Sequence, residues 1–588
     1  MAATERNVGD QVLNLILTLV VNSIKAMKKA KFIFPILFLI SSSIHLFSQA
    51  SWDWARSTGS LNPDYGNSVS VDSVGNSYIA GYFDGPTISF GSITITNSGT
   101  HDNMLLAKYD PSGNALWAKC AQGNADCYAN SVSSDKQGKI CITGYFNTAI
   151  MVIDNDTLIN RNSSGNSSDI FILKCDSAGN ILWARSAGGQ GLDGGSGTFL
   201  DNLGNCYVSG TFNSASIIFQ SDTLYNADPT GSSPDIFLAK YDVNGNLLWA
   251  KTEGGAAADL AGSVAGDDFG NSYITGSFQS ATITFGSTTL TNSGAYGDIF
   301  IVKYDPLGNV LWAKSATGTD GETSNCVAID KKGNSFITGF YASSTLNFGT
   351  FSLSNSTGYP HTFIAKYDSN GNVRWVKSCT STRTDFGNSV AVDNLGYCYL
   401  TGVFEAANMT IASTTLINAD NTGNTFDIFL TKYDSLGNNV WAQRAGGNND
   451  DAPFWIDVDA YDVCYMTGYF RSPTIAFGSN VLTNGSTTFA YQNLFLVRLV
   501  DPLSIKTLQN GDQVISLFPN PSSGIFHLSE VKGLTDVLIY DSFGRLVKQE
   551  TIDASSSTID LTGIANGIYL ARFTQKGIII GQQKLIIN

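Results

Sequence analysis

The sequence predicts an all-β protein, a seven-bladed β-propeller followed by a smaller β domain, and three observations support this prediction. A tryptophan followed by Ala or Val recurs every 63 or 66 residues, at Trp54, Trp117, Trp183, Trp249, Trp312, Trp375 and Trp441. A glycine with an aromatic residue two positions later stands 27 residues after each tryptophan, at Gly81, Gly144, Gly210, Gly276, Gly339, Gly402 and Gly468. Only 14% of residues are charged and 59 are Gly, which suits short strands and many turns.

Each copy of the repeat divides into four strands and an additional hairpin. In the fourth copy, residues 263–278 are predicted to form strand, tight turn and strand, and residues 281–292 alternate as a small hairpin does. Residues 298–305 and 310–314 are the third and fourth strands, joined by the turn PLGN. The recurring Asp-x-x-Gly-Asn groups favour turns, because Asp accepts backbone N–H bonds and Gly tolerates positive φ.

Seven copies of a four-stranded unit predict a β-propeller, since each sheet buries its two faces only by packing against its neighbours around an axis. The repeated tryptophan on the last strand is expected between neighbouring blades as a structural residue. The first tryptophan phrase has no strands before it, and the last copy ends at Val500 without a fourth strand. We therefore expect residues 52–56 to complete the seventh blade by pairing with residues 494–499, which removes an exposed sheet edge.

The repeat resembles the SBBP family of bacterial β-propeller repeats. The resemblance rests on the patterns DIFLAKYDxxGNxxWAK and VDxxGNxYITGxF and covers residues 52–500. The last copy departs from the pattern, with residues 498–500 in place of Lys-Tyr-Asp and Asp462-Val463 in place of Gly-Asn. The resemblance implies an architecture and no single activity.

The N-terminus is predicted to be an export signal that occupies residues 1–50. A basic segment, residues 27–31, precedes the mostly apolar residues 32–47 and the small-x-small site Ser48-Gln49-Ala50, so cleavage is expected near Ala50 and Met27 is a candidate start. A membrane anchor is the alternative, since residues 12–21 are also apolar. No later segment approaches the roughly 18 apolar residues of a spanning helix, so we expect no transmembrane span in the mature protein.

The C-terminus is predicted to be a separate domain, residues 515–588, after a polar linker at 501–514. The start Pro519-Asn520-Pro521, the Gly544-Arg545 turn and the strand entry Asn566-Gly567-Ile568-Tyr569 resemble the C-terminal sorting domain of type IX secretion substrates. That resemblance implies a small immunoglobulin-like β-sandwich, contact with the type IX secretion machinery, and removal of the tail on export across the outer membrane. Another adhesive sandwich module is the alternative.

The net charge disfavours two classes of binding partner, and the cysteine positions indicate which thiols are buried. The net charge of −15 disfavours nucleic acid and anionic membranes, because their phosphates would be repelled. Of nine cysteines, Cys206, Cys398 and Cys464 fall at one strand position of different copies and are expected to be buried. Cys120 and Cys127 are candidates for a disulfide across a loop.

We predict no catalytic residues. After signal removal only His101, His361 and His527 remain, and they are far apart in sequence. The sequence therefore offers too few histidines to favour a Ser–His–Asp triad or a His-rich metal site. No cofactor is expected. Paired carboxylates leave one enzymatic alternative open, a secreted polysaccharide lyase or hydrolase.

A recurrent acid marks the candidate binding face. It stands seventeen residues before each marker glycine, or one residue earlier in the second copy, on the predicted loop between the outer strand of one blade and the inner strand of the next. Two interpretations are open: each acid caps its loop by accepting N–H bonds, or part of the ring binds a ligand or a cation such as Ca²⁺. The acids are Asp64, Asp126, Asp193, Asp259, Glu322, Asp385 and Asp451.

These features together predict an exported binding, adhesion or scaffold protein without catalysis. It would be secreted or held at the cell surface, and its extracellular ligand would be a glycan or a protein. A purely structural surface-layer component is a third interpretation.

Overall fold

The computed structural model describes most of the chain from Ala50 onward. Among the undescribed residues are 1–49, 59–61, 123–125, 163–166, 421, 486–490 and 502–516, together with short gaps in the tail at 519, 521, 529–532, 542–544, 554, 556–557, 576–577 and 588. The predicted signal peptide, nearly all of the predicted linker, Pro519, Pro521 and Gly544 lie outside the described residues. None of the described residues forms a helix long and apolar enough to cross a membrane.

Seven four-stranded antiparallel sheets occupy residues 51–500, each with its strands in the order first, second, third, fourth. The first strands are Asp64–Val71, Cys127–Ser134, Asp193–Leu200, Asp259–Gly266, Glu322–Ile329, Asp385–Val392 and Asp451–Val458. The second strands are Ser77–Phe83, Ile140–Phe146, Cys206–Phe212, Ser272–Phe278, Ser335–Tyr341, Cys398–Phe404 and Cys464–Phe470. The third strands are Asn103–Tyr109, Asp169–Cys175, Asp235–Tyr241, Asp298–Tyr304, His361–Tyr367, Asp427–Tyr433 and Asn493–Val500. The fourth strands are Ala115–Cys120, Ile181–Ala187, Leu247–Glu253, Val310–Ala316, Val373–Ser378, Asn439–Ala445 and, in sheet 7, Ser51–Ser57.

A small hairpin follows the second strand of every sheet, as the alternating residues predict. The hairpins pair Thr87–Phe90 with Ile93–Thr96, Ile150–Ile153 with Asp156–Ile159, Ser216–Phe219 with Asp222–Tyr225, Thr282–Phe285 with Thr288–Thr291, Thr345–Phe348 with Phe351–Ser354, Asn408–Ile411 with Thr414–Ile417, and Thr474–Phe477 with Asn480–Thr483. The short strand Thr380–Ser381 extends the sixth. The hairpins and the connections between sheets emerge on one side, which we call the loop face. The Asp-x-x-Gly turns emerge on the other, the turn face.

The sheets contact one another in a closed ring. Each first strand packs against the first strand of the next sheet, and the first strand of sheet 7 packs against that of sheet 1. The third strands are buried along their length, except for one half-buried position in sheet 7, which explains why they read as continuous apolar runs rather than alternating ones. The first strands therefore lie nearest the axis of the ring.

The expected closure of sheet 7 by the N-terminal phrase is confirmed. Ser51–Ser57 pairs antiparallel with the third strand, in the register Ser51 to Val500 and Ser57 to Phe495, with a bulge at Asp53. The ends of the 51–500 segment thus share one sheet, which hides what would be an open edge.

The seven repeated tryptophans lie at the junctions between sheets. Each indole N–H donates to an oxygen in the turn region of the next sheet, as from Trp54 to the Pro111 carbonyl at 3.0 Å and from Trp183 to the Val243 carbonyl at 3.0 Å. At the last junction Trp441 donates instead to the Asp501 carboxylate, at 3.1 Å. The other four donate in the same way, Trp117 to Ser177, Trp249 to Pro306, Trp312 to Ser369 and Trp375 to Ser435.

The tail forms two antiparallel sheets that share one apolar core. Leu517–Phe518, Ile525–Leu528 and Thr558–Asp560 form the first sheet, and Thr535–Tyr540, Leu546–Ile552, Gly567–Gln575 and Ile578–Ile587 form the second. Phe526 from one sheet and Phe573 from the other are buried in the same cluster. A single core between two sheets is what a small β domain needs for independent stability.

The cysteines are all free thiols. Cys206, Cys398 and Cys464 are buried, as expected from their shared strand position, while Cys120 and Cys127 do not form the disulfide that the sequence allowed.

Candidate functional site

Six of the seven recurrent acids do not lie on loops, as the sequence suggested, but begin the first strands. The seventh, Asp126, immediately precedes the strand that begins at Cys127. The backbone explains the difference, because the N–H of Asp259 already bonds to the Pro234 carbonyl of the preceding sheet, as that of Asp451 does to Phe426. Asp126 is half-buried, and the other six acids are buried.

Their carboxylates accept several hydrogen bonds from the protein itself. Asp259 accepts from the Gln279 N–H at 3.1 Å and from the Ser280 N–H and hydroxyl at 3.2 and 2.8 Å. Asp193 and Asp451 accept equivalent bonds from Ser214 and Ser472, and Glu322 accepts from the Ser343 hydroxyl. In sheet 6, Asp385 takes the Thr362 N–H, the Ser381 hydroxyl and His361 Nδ1, each at 2.7 Å. These contacts favour the capping interpretation.

A second set of acids, which sequence reasoning missed, faces the first at four junctions. The third strands of sheets 2, 3, 4 and 6 begin with Asp169, Asp235, Asp298 and Asp427, each close to the acid that begins the next sheet. The Gly255 amide lies within reach of both Asp235 and Asp259. In the sequence these four acids can be recognised as the Asp of the four Asp-Ile-Phe motifs.

Burial of these paired acids raises their pKa values. Burial raises the pKa of Asp169, Asp427, Asp451 and Glu322 to about 7 and that of Asp235 to about 6. The partner carboxylate adds to the rise at Asp169, where Asp193 is the neighbour. One buried oxygen at each of the four junctions, on Asp169, Asp235, Glu322 or Asp427, has no hydrogen-bond partner among the described residues. A proton held by one member would satisfy such a pair.

A cavity lies on the turn face, at the axis of the ring, opposite the face on which the sequence placed the recurrent acids. It measures about 930 Å³ and is lined by the first turns of six of the seven sheets. The turn aspartates in its wall cap their own turns: Asp267 accepts the Phe269 and Asn271 N–H groups at 3.0 Å and the Asn271 side-chain amide at 2.7 Å. Lys136, Lys331 and Asp268 also line it, beside the exposed side chains of Val74 and Leu395.

The histidines are scattered. His101 is exposed on the loop face, His361 is buried against Asp385, and His527 lies in the tail. Within the part of the chain that the structure describes, no group of three or more His, Cys, Asp or Glu side chains could hold a metal ion.

Family models match two parts of the chain. Residues 516–588 match the model described as a secretion system C-terminal sorting domain, and residues 53–85 match the model described as a beta-propeller repeat. The chain thus carries β-propeller repeats of the SBBP type and a C-terminal sorting domain. The sorting domain indicates export by type IX secretion and implies contact with its machinery.

Curated relatives are more distant. An uncharacterized WD repeat-containing protein of Acanthamoeba polyphaga mimivirus is 24% identical over 528 residues, which covers 75% of this chain and 38% of the relative. The regulatory protein FlaEY of Caulobacter vibrioides is 27% identical over 225 residues, covering 36% of this chain and 23% of the relative. The chain therefore spans less than half the length of either relative.

Solved structures with some likeness share little sequence. Sqt1 from Chaetomium thermophilum has 7% identity and a TM-score of 0.37, covering 77% of this chain and all of that one. The extracellular domain of a putative one component system from B. thetaiotaomicron has 10% identity and a TM-score of 0.18, with coverage of 92% and 98%.

Proposed function

We propose that this chain is an exported, non-catalytic binding protein of the cell surface or the extracellular medium. In this proposal residues 51–500 form a seven-bladed β-propeller, residues 501–514 a linker, and residues 515–588 an immunoglobulin-like sorting domain. The ring of seven four-stranded sheets supports the blade count, and the two tail sheets around one core support the sandwich.

The cavity at the ring axis is the observation that carries the binding role. A concave space of about 930 Å³ is within the range that ligand sites occupy, and six sheets contribute to its wall. The charged side chains Asp268, Lys136 and Lys331 extend beyond the turn cores, beside exposed aliphatic side chains. This combination of apolar surface with a few polar groups suits recognition.

A polysaccharide lyase or hydrolase remains the rival function, because carboxylates alone can perform acid–base chemistry. The recurrent acids give it little support, since they are committed to hydrogen bonds beneath the loops, as Asp259 is to Ser280. Buried carboxyl groups that cap strands cannot contact a polymer without unfolding their junction.

A paired experiment tests the proposed function. The chain without its predicted signal peptide, residues 51–588, is applied to arrays of glycans and of extracellular proteins while the same glycans are assayed for new reducing or unsaturated ends. We expect saturable binding without product. Turnover would favour the rival, and the lack of any saturable binding would overturn the proposal. Variants Asp268→Lys and Val74→Asp then test whether the turn-face cavity takes part.

A further inference from the structure

An aromatic belt runs along the loop face of sheets 7, 1 and 2. It consists of Phe454, Tyr469, Tyr65, Tyr82, Tyr128 and Tyr145, named in their order in space, and each ring contacts the next. Neighbouring ring centroids are 4.7 to 5.4 Å apart, from Tyr65–Tyr82 to Phe454–Tyr469. All six side chains are half-buried, so each presents part of its ring to solvent. The belt stands near the ends of the strands closest to the ring axis.

The belt is not required by the repeated architecture. Tyr65 and Tyr82 are directly opposite each other on the first and second strands of sheet 1, as are Tyr128 and Tyr145 in sheet 2. The same register holds Gly194 and Thr211 in sheet 3 and Leu260 and Ser277 in sheet 4. The neighbouring marker glycines and buried strand-initial residues keep their places in all of these sheets. Sheets 5, 6 and 7 each place one aromatic residue at this register, Phe340, Phe386 and Tyr469, whereas sheets 3 and 4 place none, so the fold itself does not require an aromatic residue there.

Polar groups of both kinds surround the belt. The Tyr128 hydroxyl donates to Asp102 at 2.7 Å, and burial, with the charges of Asp84 and Asp126, raises the pKa of Asp102. Side-chain amides of Asn62 and Asn147 contact Asp84 and Asp126. On the other side lies Arg471, close enough to Tyr65 and Tyr469 for its charge to act on both. Its Nη1 lies 3.5 Å from an Asp450 carboxylate oxygen, and its buried Nε has no hydrogen-bond partner among the described residues.

We propose that the belt binds a neutral oligosaccharide. Aromatic rings offer apolar surface to the C–H faces of sugar rings at low entropic cost, while sugar hydroxyls need donors and acceptors together. The carboxylates of Asp84, Asp102 and Asp126 disfavour acidic sugars, and Arg471 disfavours a purely cationic ligand. Sheets 3 and 4 place no aromatic side chain at this register, so the belt ends at sheet 2. This inference rests on the proposed binding function and gives it a second site, on the loop face and separate from the turn-face cavity, together with a ligand class.

Calorimetric titration of residues 51–588 with hexaoses of glucose, xylose, mannose and N-acetylglucosamine tests the inference. We expect at least one hexaose to bind, and Tyr82→Ala and Tyr145→Ala to weaken that binding about tenfold each. Leu260→Ala is the matched control, since Leu260 has the register of Tyr65 in sheet 4 and is 40% exposed. It should bind as the wild type does. Melting temperatures verify that each variant is folded.

A second measurement needs no substitution. Tyrosine nitration of the wild type, mapped by mass spectrometry, should be suppressed by the bound hexaose at Tyr65, Tyr82, Tyr145 and Tyr469. It should continue at Tyr225 and Tyr296, which are 71% and 57% exposed outside the belt. Failure of every hexaose to bind, or binding of acidic peptides at the belt instead, overturns the inference. Hexaose binding that survives the belt variants but is lost in Val74→Asp overturns it too, while the proposed function stands.

Discussion

At the scale of single residues, four junctions between sheets each hold two carboxyl groups in a buried site. Two neighbouring negative charges repel strongly where solvent is excluded, so each pair of carboxyl groups favours keeping one proton in the folded state. Asp427 and Asp451 each have a pKa raised to about 7, chiefly by burial. The charge of Asp427 adds to the rise at Asp451, and Arg444 Nη1, 3.4 Å from Asp427, offsets part of the rise at Asp427.

The raised pKa values predict stability that falls as pH rises. A carboxyl group with an ordinary pKa near 4 when unfolded and about 7 when folded binds its proton more tightly in the folded state. Its contribution is complete below about pH 4 and is lost as pH rises through about 7, up to about 4 kcal/mol for a group such as Asp427. Urea unfolding should therefore give a larger free energy at pH 5 than at pH 8. Asp427→Asn should reduce that difference, and an unchanged difference would contradict the shared proton.

The capping interpretation makes its own prediction at Asp259. Asp259→Asn keeps an oxygen that accepts the Ser280 bonds and removes the repulsion with Asp235, so we expect a loss below about 1 kcal/mol at pH 7. Calorimetry with Ca²⁺ and with a chelator should give the same melting temperature. A Ca²⁺-dependent rise, lost in the double variant with Asp385→Asn, would instead establish a cation site.

At the scale of elements, the last junction is built differently from the others. In sheets 1 to 6 the third strand ends in a turn whose carbonyls accept the tryptophan of the preceding sheet, but the chain leaves sheet 7 after Val500. The Asp501 carboxylate takes the place of that carbonyl. It accepts hydrogen bonds from Lys432 Nζ at 2.9 Å and from Trp441 Nε1 at 3.1 Å. Asp501 is 1% exposed, so the ion pair is buried.

Removing Asp501 should therefore be costly. Asp501→Ala removes the nearer partner of the buried Lys432 ammonium and leaves Asp393 at 3.6 Å, so we expect a loss of about 3 kcal/mol in unfolding free energy. Asp305 is a matched control, because it occupies the same motif position in sheet 4 but caps a partly exposed turn. Asp305→Ala should cost about 1 kcal/mol. Equal losses in urea titrations of the two variants would show that Asp501 has no special part in closure.

The strand that closes sheet 7 gives a second prediction at this scale. Deleting residues 51–56 of the mature chain removes the buried Trp52 and Trp54 and unpairs the backbone of residues 496–500. Loss of one such tryptophan costs roughly 3–5 kcal/mol, so the deletion should lower the melting temperature by many degrees. An unchanged melting curve would contradict closure by this strand.

At the scale of the whole molecule, the tail directs the ring to the outside. Residues 515–588 fused to an exported reporter should carry it across the outer membrane of cells with type IX secretion, because the sorting-domain match spans 516–588. Secretion-deficient cells are the control and should retain the reporter in the periplasm. Retention in both strains would exclude a sorting role. If the tail is cleaved on export, the protein recovered outside the cell should lack residues 515–588.

The sequence alone determined what repeats. Strand number, turn positions, the tryptophan junctions and the closing role of residues 52–56 all follow from local patterns, because alternation, turn chemistry and a fixed period are written along the chain. The local patterns could not determine which side chains of different strands and sheets contact one another. Tertiary structure buried Asp259 and its equivalents, placed Asp235 close to Asp259, and assembled Tyr65, Tyr82 and Tyr128 into one belt, since these contacts join residues about 17 to 46 positions apart. Whether an acid caps or binds depends on its surroundings, which only packing around the ring supplies.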